Sequence, residues 1–343
     1  MTKGANTIAD IAGLRVGQAH DKRLASGVTV VVFDAPNVAS GVVRGGAPGT
    51  RDVAVLEPEM SVESIDAVVL SGGSAFGLDA AGGVMAVLRD QGRGIKIHTA
   101  NFPIVVQAIT FDLLNGGDKA WGQKPPYWDL GLQAALAAQT GPLELGSVGG
   151  GYGATTATFK GGVGSASAVT ASGFKVAALV IVNAVGSATI GAGPHFWAAG
   201  VERCAEFGGL GQPQYVAEAD LALRIKGGSP PPPSTTIALV VTDARLTKPQ
   251  AKRLAIMADD GLARAIRPAH APMDGDTVVA VSMLQKPLTA GREAFELTEL
   301  GMAAGDCLAR SIARGVYEAT ALTFAGALPA WRDAFGDLVA GRR

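Results

Sequence analysis

Hydrophobic positions fall into short continuous runs of Val, Ile, Leu and Ala separated by glycine-rich turns, the pattern of strands buried on both faces. Such runs at 65–70, 175–182, 236–242 and 277–284 predict core strands, and shorter ones occur at 104–106 and 109–113. Residues 27–33 and 37–43 read as a hairpin, and residues 6–17 as a short strand and turn. Helical spacing appears elsewhere. Ala251, Leu254, Ala255, Ala258, Leu262, Ala265 and Ile266 recur at three and four, predicting an amphipathic helix over 248–266. Further helices are expected at 130–139, at 299–321, and from a glycine turn at 71–73 to about Arg89. Residues 191–234 mix Gly, Pro and Gln with isolated aromatics and read as a long surface linker. Together these elements predict an α/β chain.

With 343 residues and 48% hydrophobic content, the chain buries a large core in one big domain or two smaller ones. Its 47 glycines beside only 6% aromatics mean that backbones approach one another, or a ligand, closely. A net charge of −1 with no basic stripe argues against nucleic acid or an anionic membrane as partner and for a small molecule. Cys204 and Cys307 stand alone, and His20, His98, His195 and His270 lie far apart, so no metal spacing is present. Cofactor motifs fail too: no Gly-Lys-Ser/Thr completes a phosphate loop after residue 71. Gly149, Gly151 and Ala154 fit a dinucleotide fingerprint only loosely, without a preceding strand or an acidic residue about 20 positions on. Asp274-Gly275-Asp276 lacks the remaining ligands of a calcium loop. Met1–Asn6 carries no apolar signal region and no run spans a bilayer, which predicts a cytoplasmic protein without cofactor.

The candidate chemistry centres on Pro230–Val241, where four prolines and Ser234-Thr235-Thr236 run into a β-branched strand. Proline fixes φ and lacks a donor, so the approach is an extended, exposed loop, and Thr235 stands where it meets the sheet. Ser-Thr-Thr can simply begin a strand. If instead the Ser234–Thr235 bond is cut, Thr235 gains a hydroxyl nucleophile and an α-amine of pKa ~7.7–8.0 as its own base. Such a cut is expected to need an exposed bond, because a buried one is held by hydrogen bonds.

Other residues could serve it. Asn183 ends a buried strand, where an amide can donate to an oxyanion or form a turn. Asp274 and Asp276 flank a glycine at a strand start, as a turn or as carboxylates for an amine. Lys160 is the lysine of a glycine-walled stretch that includes Tyr152, and Ser74 either caps the helix after Gly72-Gly73 or faces a ligand. Arg44–Asp52 is a rigid turn, solvated, ligand-lining or at a subunit contact.

In their order these motifs resemble the self-processing L-aminopeptidase/D-esterase and β-aminopeptidase family, which includes the 6-aminohexanoate-oligomer (nylon-oligomer) hydrolases. The resemblance runs from Ala12–Gly17 through Arg44–Asp52, Ser71–Leu78, Val182–Gly186 and Thr235-Thr236-Ile237 to Asp274–Thr277, in motif style nearest the nylon-oligomer enzymes. It implies a four-layer αββα sandwich like N-terminal nucleophile hydrolases with different connectivity. It also implies one structural domain cleaved into chains 1–234 and 235–343, and a homo-oligomer, a tetramer by the resemblance. Thr235 is then the nucleophile, Asn183 the oxyanion-side amide, Asp274 and Asp276 the paired carboxylates, and Lys160 the accompanying lysine. Ser234 replaces the family's asparagine before the cut, and Phe111 falls where a family tyrosine stands.

The expected activity is hydrolysis of small aminoacyl or amino-acid-oligomer amides, 6-aminohexanoate oligomers among them, through an acyl-enzyme. An acyl transferase of the ornithine-acetyltransferase kind and a non-catalytic binding protein are the alternatives. Substrate choice is expected from loops 117–128 and 191–215.

Overall fold

The structure, a computed structural model, describes residues 5–227 and 232–340, so Pro230 and Pro231 lie outside the described residues. A 3-10 turn at Ile8–Asp10 precedes β1 (Leu14–Asp21), β2 (Ser26–Val43), β3 (Thr50–Arg51) and β4 (Ser64–Ser71). Helices α1 (Ser74–Gly77) and α2 (Ala80–Asp90), the hairpin β5 (Ile95–Ile97) and β6 (Ala100–Phe102), β7 (Val105–Ile109) and α3 (Tyr127–Leu136) follow. The second half carries β8 (Val163–Val169), β9 (Lys175–Asn183), α4 (Glu218–Leu221), β10 (Thr235–Arg245) and α5 (Lys248–Ala265). It closes with β11 (Thr277–Pro287), α6 (Glu293–Tyr317) and α7 (Trp331–Phe335).

Strand order is β3-β7-β4-β2-β11-β10-β9-β8 with β1 also on β2; β4/β7 and β10/β11 are parallel and the other pairs antiparallel. The expected hairpin at 27–33 and 37–43 is instead the single strand β2. Exposed Asp34-Ala35-Pro36 interrupts its register with β4 but does not reverse the chain. Val28–Val32 pair with β4 and β1, whereas Val38–Val43 pair with β11, so β2 passes from one half of the sheet to the other.

Three separate cores show the layering. Val28, Val30, Val69 and Val105 pack under Val84, Leu88 and Leu130 of α2 and α3. The alternate residues Val31, Val68, Leu70 and Val106 face Leu179, Ile181, Ile237, Leu239 and Val279 across the sheet-to-sheet interior. On the far side Val180, Val182, Val240 and Val278 meet Leu254, Leu262, Leu308 and Ile312 of α5 and α6. The fold is therefore a helix–sheet–sheet–helix sandwich, and strands apolar on both faces gave the continuous runs.

α5 begins in a reciprocal cap: Gln250 N–H donates to the Thr247 hydroxyl (3.4 Å) and Thr247 N–H to the Gln250 side chain (2.8 Å). α6 starts at Glu293, before the expected 299, and ends at Tyr317 rather than 321. Residues 191–227 are not a plain surface linker. Phe196, Ala198 and Phe207 are buried, Phe196 stacking on Trp331 with centroids 5.5 Å apart, so isolated aromatics in a polar stretch marked anchors to the core. Among the described residues, no helix is long and apolar enough to cross a membrane, and no group of three metal-ligating side chains occurs.

Candidate active site

Thr235 opens β10 between β9 and β11, directly opposite Asn183 in the antiparallel register. Both side chains therefore project from one face of the sheet. Ser234 N–H donates to the Met273 carbonyl (3.1 Å), and Gly275 N–H donates to the Ser234 carbonyl (3.0 Å). The Thr235 hydroxyl donates to that same Ser234 oxygen. Ser234 and Thr235 are only 1% and 2% exposed, so the Ser234–Thr235 bond is buried, contrary to the exposed loop expected. Solvent exposure of the approach ends at Pro233, because the strand-like bridge from Ser234 to Asp274 starts one residue later.

The turn 44–49 clamps the Asp274–Asp276 segment rather than standing in solvent. Ala47 N–H donates to the Asp274 carbonyl (2.7 Å) and Arg44 N–H to the Asp276 carbonyl (2.9 Å). A Cβ on Gly45 would lie 2.4 Å from the Asp274 oxygen, so this approach requires glycine.

The two carboxylates differ in setting. Asp276 is fully engaged: Oδ1 accepts Thr236 N–H (2.8 Å), and Oδ2 accepts His270 N–H (3.0 Å) and faces His270 Nδ1 (2.9 Å). That hydrogen bond to Asp276 raises the His270 pKa above its ordinary value. His270 Nε2 in turn lies 3.5 Å from Asp259, which Arg44 approaches at 3.4 Å. Among the described residues the Asp274 carboxylate is held by two long bonds, from Val185 N–H and Ala271 N–H, both 3.3 Å. Burial, and then the charge of Asp276, push its pKa up to about 7.

Asn183 is a hub. Its Oδ1 accepts from Asn115 Nδ2 (2.9 Å), Thr155 N–H (3.0 Å) and Lys226 Nζ (3.0 Å), and its Nδ2 donates to the Phe111 carbonyl (2.8 Å). Three donors around one oxygen fix which end of the amide is nitrogen. Phe111 thus contributes through its backbone. Lys226, which sequence reasoning passed over, is buried, and burial brings its pKa down to about 7 while Asp274 pulls it up. Asn115 and His270 were likewise missed, one inside a glycine turn and the other a lone histidine.

Lys160 is 1% exposed, its ammonium donating to the carbonyls of Gly151 (3.0 Å), Ala154 (2.8 Å) and Gly161 (2.8 Å). Burial lowers its pKa to about 7, opposed by the charge of Asp112, and only the charged form satisfies all three acceptors in full. It therefore braces the glycine loop beside Thr155. Lys160→Met, which keeps the volume and orphans those carbonyls, is expected to cost about 3 kcal/mol, read as a lowered midpoint in denaturant.

A cavity of about 710 Å³ adjoins this cluster, reached through Asn115, Thr155, Lys226 and Pro233. Its other lining residues are Leu114, Gly116, Thr156, Ala157, Lys160, Gly227, Pro232, Leu322 and 324–328, none of them in the expected loops 117–128 and 191–215. Ser74 and Tyr152 do not line it. Ser74 follows the capping residue Gly73 at φ +53° and makes no side-chain cap, and Tyr152 stacks on His20 with centroids 4.4 Å apart.

The layered sandwich thus carries a hydroxyl residue at the first position of a central strand, opposite a buried asparagine amide. The particular family follows from direct comparison: residues 6–327 match Peptidase family S58, and the chain belongs to it. It is similar to an uncharacterized aminopeptidase of Mycobacterium bovis, 41% identical over 350 residues that cover 96% of this chain and 98% of the relative. It is 26% identical over 322 residues to a 6-aminohexanoate-oligomer endohydrolase of Agromyces sp., covering 87% and 82% of the two. Among solved structures, the L-aminopeptidase D-Ala-esterase/amidase of Ochrobactrum anthropi, described as a new variant among the Ntn hydrolase fold, aligns with a TM-score of 0.68. The identity there is 20%, over 98% of this chain and 96% of that one.

Proposed function

We propose that this chain cuts itself between Ser234 and Thr235 and that the freed Thr235 hydrolyses aminoacyl amides through an acyl-enzyme. One observation carries the reading: the Ser234 carbonyl oxygen accepts the Gly275 N–H while the Thr235 hydroxyl lies against the same carbonyl. Attack of Oγ1 on the Ser234 carbonyl carbon gives an oxyanion that Gly275 N–H already faces. Collapse breaks the C–N bond, leaves an ester on Oγ1 and frees the Thr235 amine. Water then releases chains of 234 and 343 − 234 = 109 residues. Burial of the bond favours this step, since donors fixed in a dry site need no reorganisation.

In turnover Thr235 attacks the substrate carbonyl, its amine relays the proton, and the Asn183 amide, fixed by three donors, stabilises the oxyanion. The restricted χ1 of threonine preorganises the hydroxyl. Higher identity to an aminopeptidase than to the oligomer endohydrolase supports aminoacyl amides as substrates, with 6-aminohexanoate oligomers second.

Asp274 is the proposed base for self-cleavage. Its raised pKa of about 7 keeps it protonated below that pH, so cleavage is expected to accelerate roughly tenfold from about pH 6 to a plateau above about pH 7.5. Asp274→Asn should cleave slowly and without that rise, measured by the intensity of the two bands on denaturing gels over time. A pH profile unchanged by Asp274→Asn would remove Asp274 from this role.

A further inference from the structure

His270 holds a left-handed backbone, φ +56°, which L side chains rarely adopt, and there its N–H (3.0 Å) and its Nδ1 (2.9 Å) both meet the same Asp276 oxygen. The far nitrogen, Nε2, lies 3.5 Å from Asp259 Oδ2, and Arg44 Nε lies 3.4 Å from that oxygen. Asp259 belongs to α5, where it is 5% exposed, and its Oδ1 finds no hydrogen-bond partner among the described residues. A buried carboxylate with an unsatisfied oxygen destabilises a fold unless an opposite charge stands against it. The imidazole therefore lies between two buried carboxylates, and one of them, Asp276, accepts Thr236 N–H immediately after the nucleophile.

We infer that His270 is a positioning residue of the reaction: as an imidazolium it holds the Asp276 carboxylate against Thr236 N–H, beside Thr235, and ties it to Asp259 of α5. The inference rests on the reading of Thr235 as nucleophile and Asp274 as base. Asp276 and Asp274 are separated by one glycine, and after burial the charge of Asp276 is the next cause of the raised Asp274 pKa. Without a cation beside them the two carboxylates would share a proton to higher pH, and Asp274 would be free to accept one only there. A proton on Asp276 would also weaken the acceptor that fixes Thr236.

The charged groups around the imidazole come from several elements. Asp274 and Asp276 precede β11 and Asp259 lies on α5; the hydrogen bond to Asp276 raises the His270 pKa most, burial opposes it, and the charges of Asp259 and Asp274 add to the rise. Arg44, after β2, reaches Asp259. Arg264 and Arg267 line a cavity of about 330 Å³ with His270, but Arg264 pairs with Asp306 (2.7 Å) and Arg267 lies over the Trp197 ring (5.4 Å). His270 thus keeps its positive charge to a higher pH than an ordinary histidine and loses it as pH rises further.

The test uses His270→Asn, because asparagine tolerates the left-handed backbone and offers Asp276 a donor but carries no charge. Self-cleavage of this variant should have its pH midpoint about one unit above wild type, which makes it roughly five- to tenfold slower near about pH 6.5. The two rates should converge to within about threefold by about pH 9, where the wild-type imidazole is neutral too. A substitution that merely loosened the fold would slow cleavage at every pH. In uncut full-length Thr235→Ala protein, the imidazole resonance that disappears in His270→Asn should titrate by NMR above the ordinary ~6.5, and Asp259→Asn should lower its midpoint. Equal slowing at all pH values, an unshifted cleavage midpoint, an imidazole midpoint at or below ~6.5, or one unmoved by Asp259→Asn overturns the inference. Should His270→Asn fail to fold, the NMR titrations decide, with the resonance assigned by substituting the other three histidines. Wild-type protein that never cleaves while those titrations hold would overturn the nucleophile reading and leave the bridge from Asp276 to Asp259 standing.

Discussion

Thr235→Ala protein is expected to run as one intact band after long incubation and to show no hydrolysis of aminoacyl amides above background. The hydroxyl is the group that attacks both the Ser234 carbonyl and, once freed, the substrate, so its loss removes two steps together. Stability should change little: the methyl and hydroxyl sit at the strand's first residue, and the backbone pairing with Asn183 is untouched. Thr235→Ser should still cleave, about tenfold more slowly, because serine loses the β-branch that limits the hydroxyl to few rotamers. Timed denaturing gels with an aminoacyl p-nitroanilide assay read both outcomes. Cleavage in Thr235→Ala at the wild-type rate would assign the nucleophile elsewhere.

Gly275→Ala is expected to produce the second largest loss, about 10²-fold in self-cleavage, with the fold retained. A Cβ there would stand 2.8 Å from Thr235 Oγ1, 2.9 Å from the Ala47 carbonyl oxygen and 3.1 Å from Pro48 Cα. Backbone on one side cannot yield, so the methyl displaces the hydroxyl or draws the Gly275 N–H off the Ser234 oxygen. Either shift weakens a donor of the kind worth ~3–4 kcal/mol at an oxyanion. Gly336→Ala is the matched control, since a Cβ there meets nothing within 4 Å. Cleavage rates from time courses of the two variants should differ by that factor, and equal rates would show that Gly275 places no critical group.

What could be read from the sequence follows from where information is local. Strands apolar on both faces announce themselves as Val/Ile/Leu runs, so β4 and β9 were legible to within a residue, while β10 and β11 run three residues past their expected ends, where the apolar run has given way to polar residues. The course of β2 was not, because Asp34-Ala35-Pro36 reads as a turn until the different partners of its two halves are known. In the site, Thr235, Asn183 and the Asp274–Asp276 pair stood at strand ends, where side chains converge in sandwiches of this kind. Lys226 had no periodic context in Arg224-Ile225-Lys226-Gly227, and its burial arises from residues far along the chain. Ser74 and Tyr152 stand outside the cavity beside Asn183: glycine turns near them suggested a ligand wall, but those glycines serve chain packing and the Lys160 brace. The prolines before Ser234 suggested an exposed bond, whereas β-bridging to Asp274 buries it one residue beyond Pro233.

Intact mass spectrometry of the purified wild-type protein tests the central claim most directly. The account predicts two polypeptides, of 234 and 109 residues, the smaller beginning at Thr235. A single 343-residue species after prolonged incubation at about pH 8, or a new N-terminus at any other residue, would contradict it.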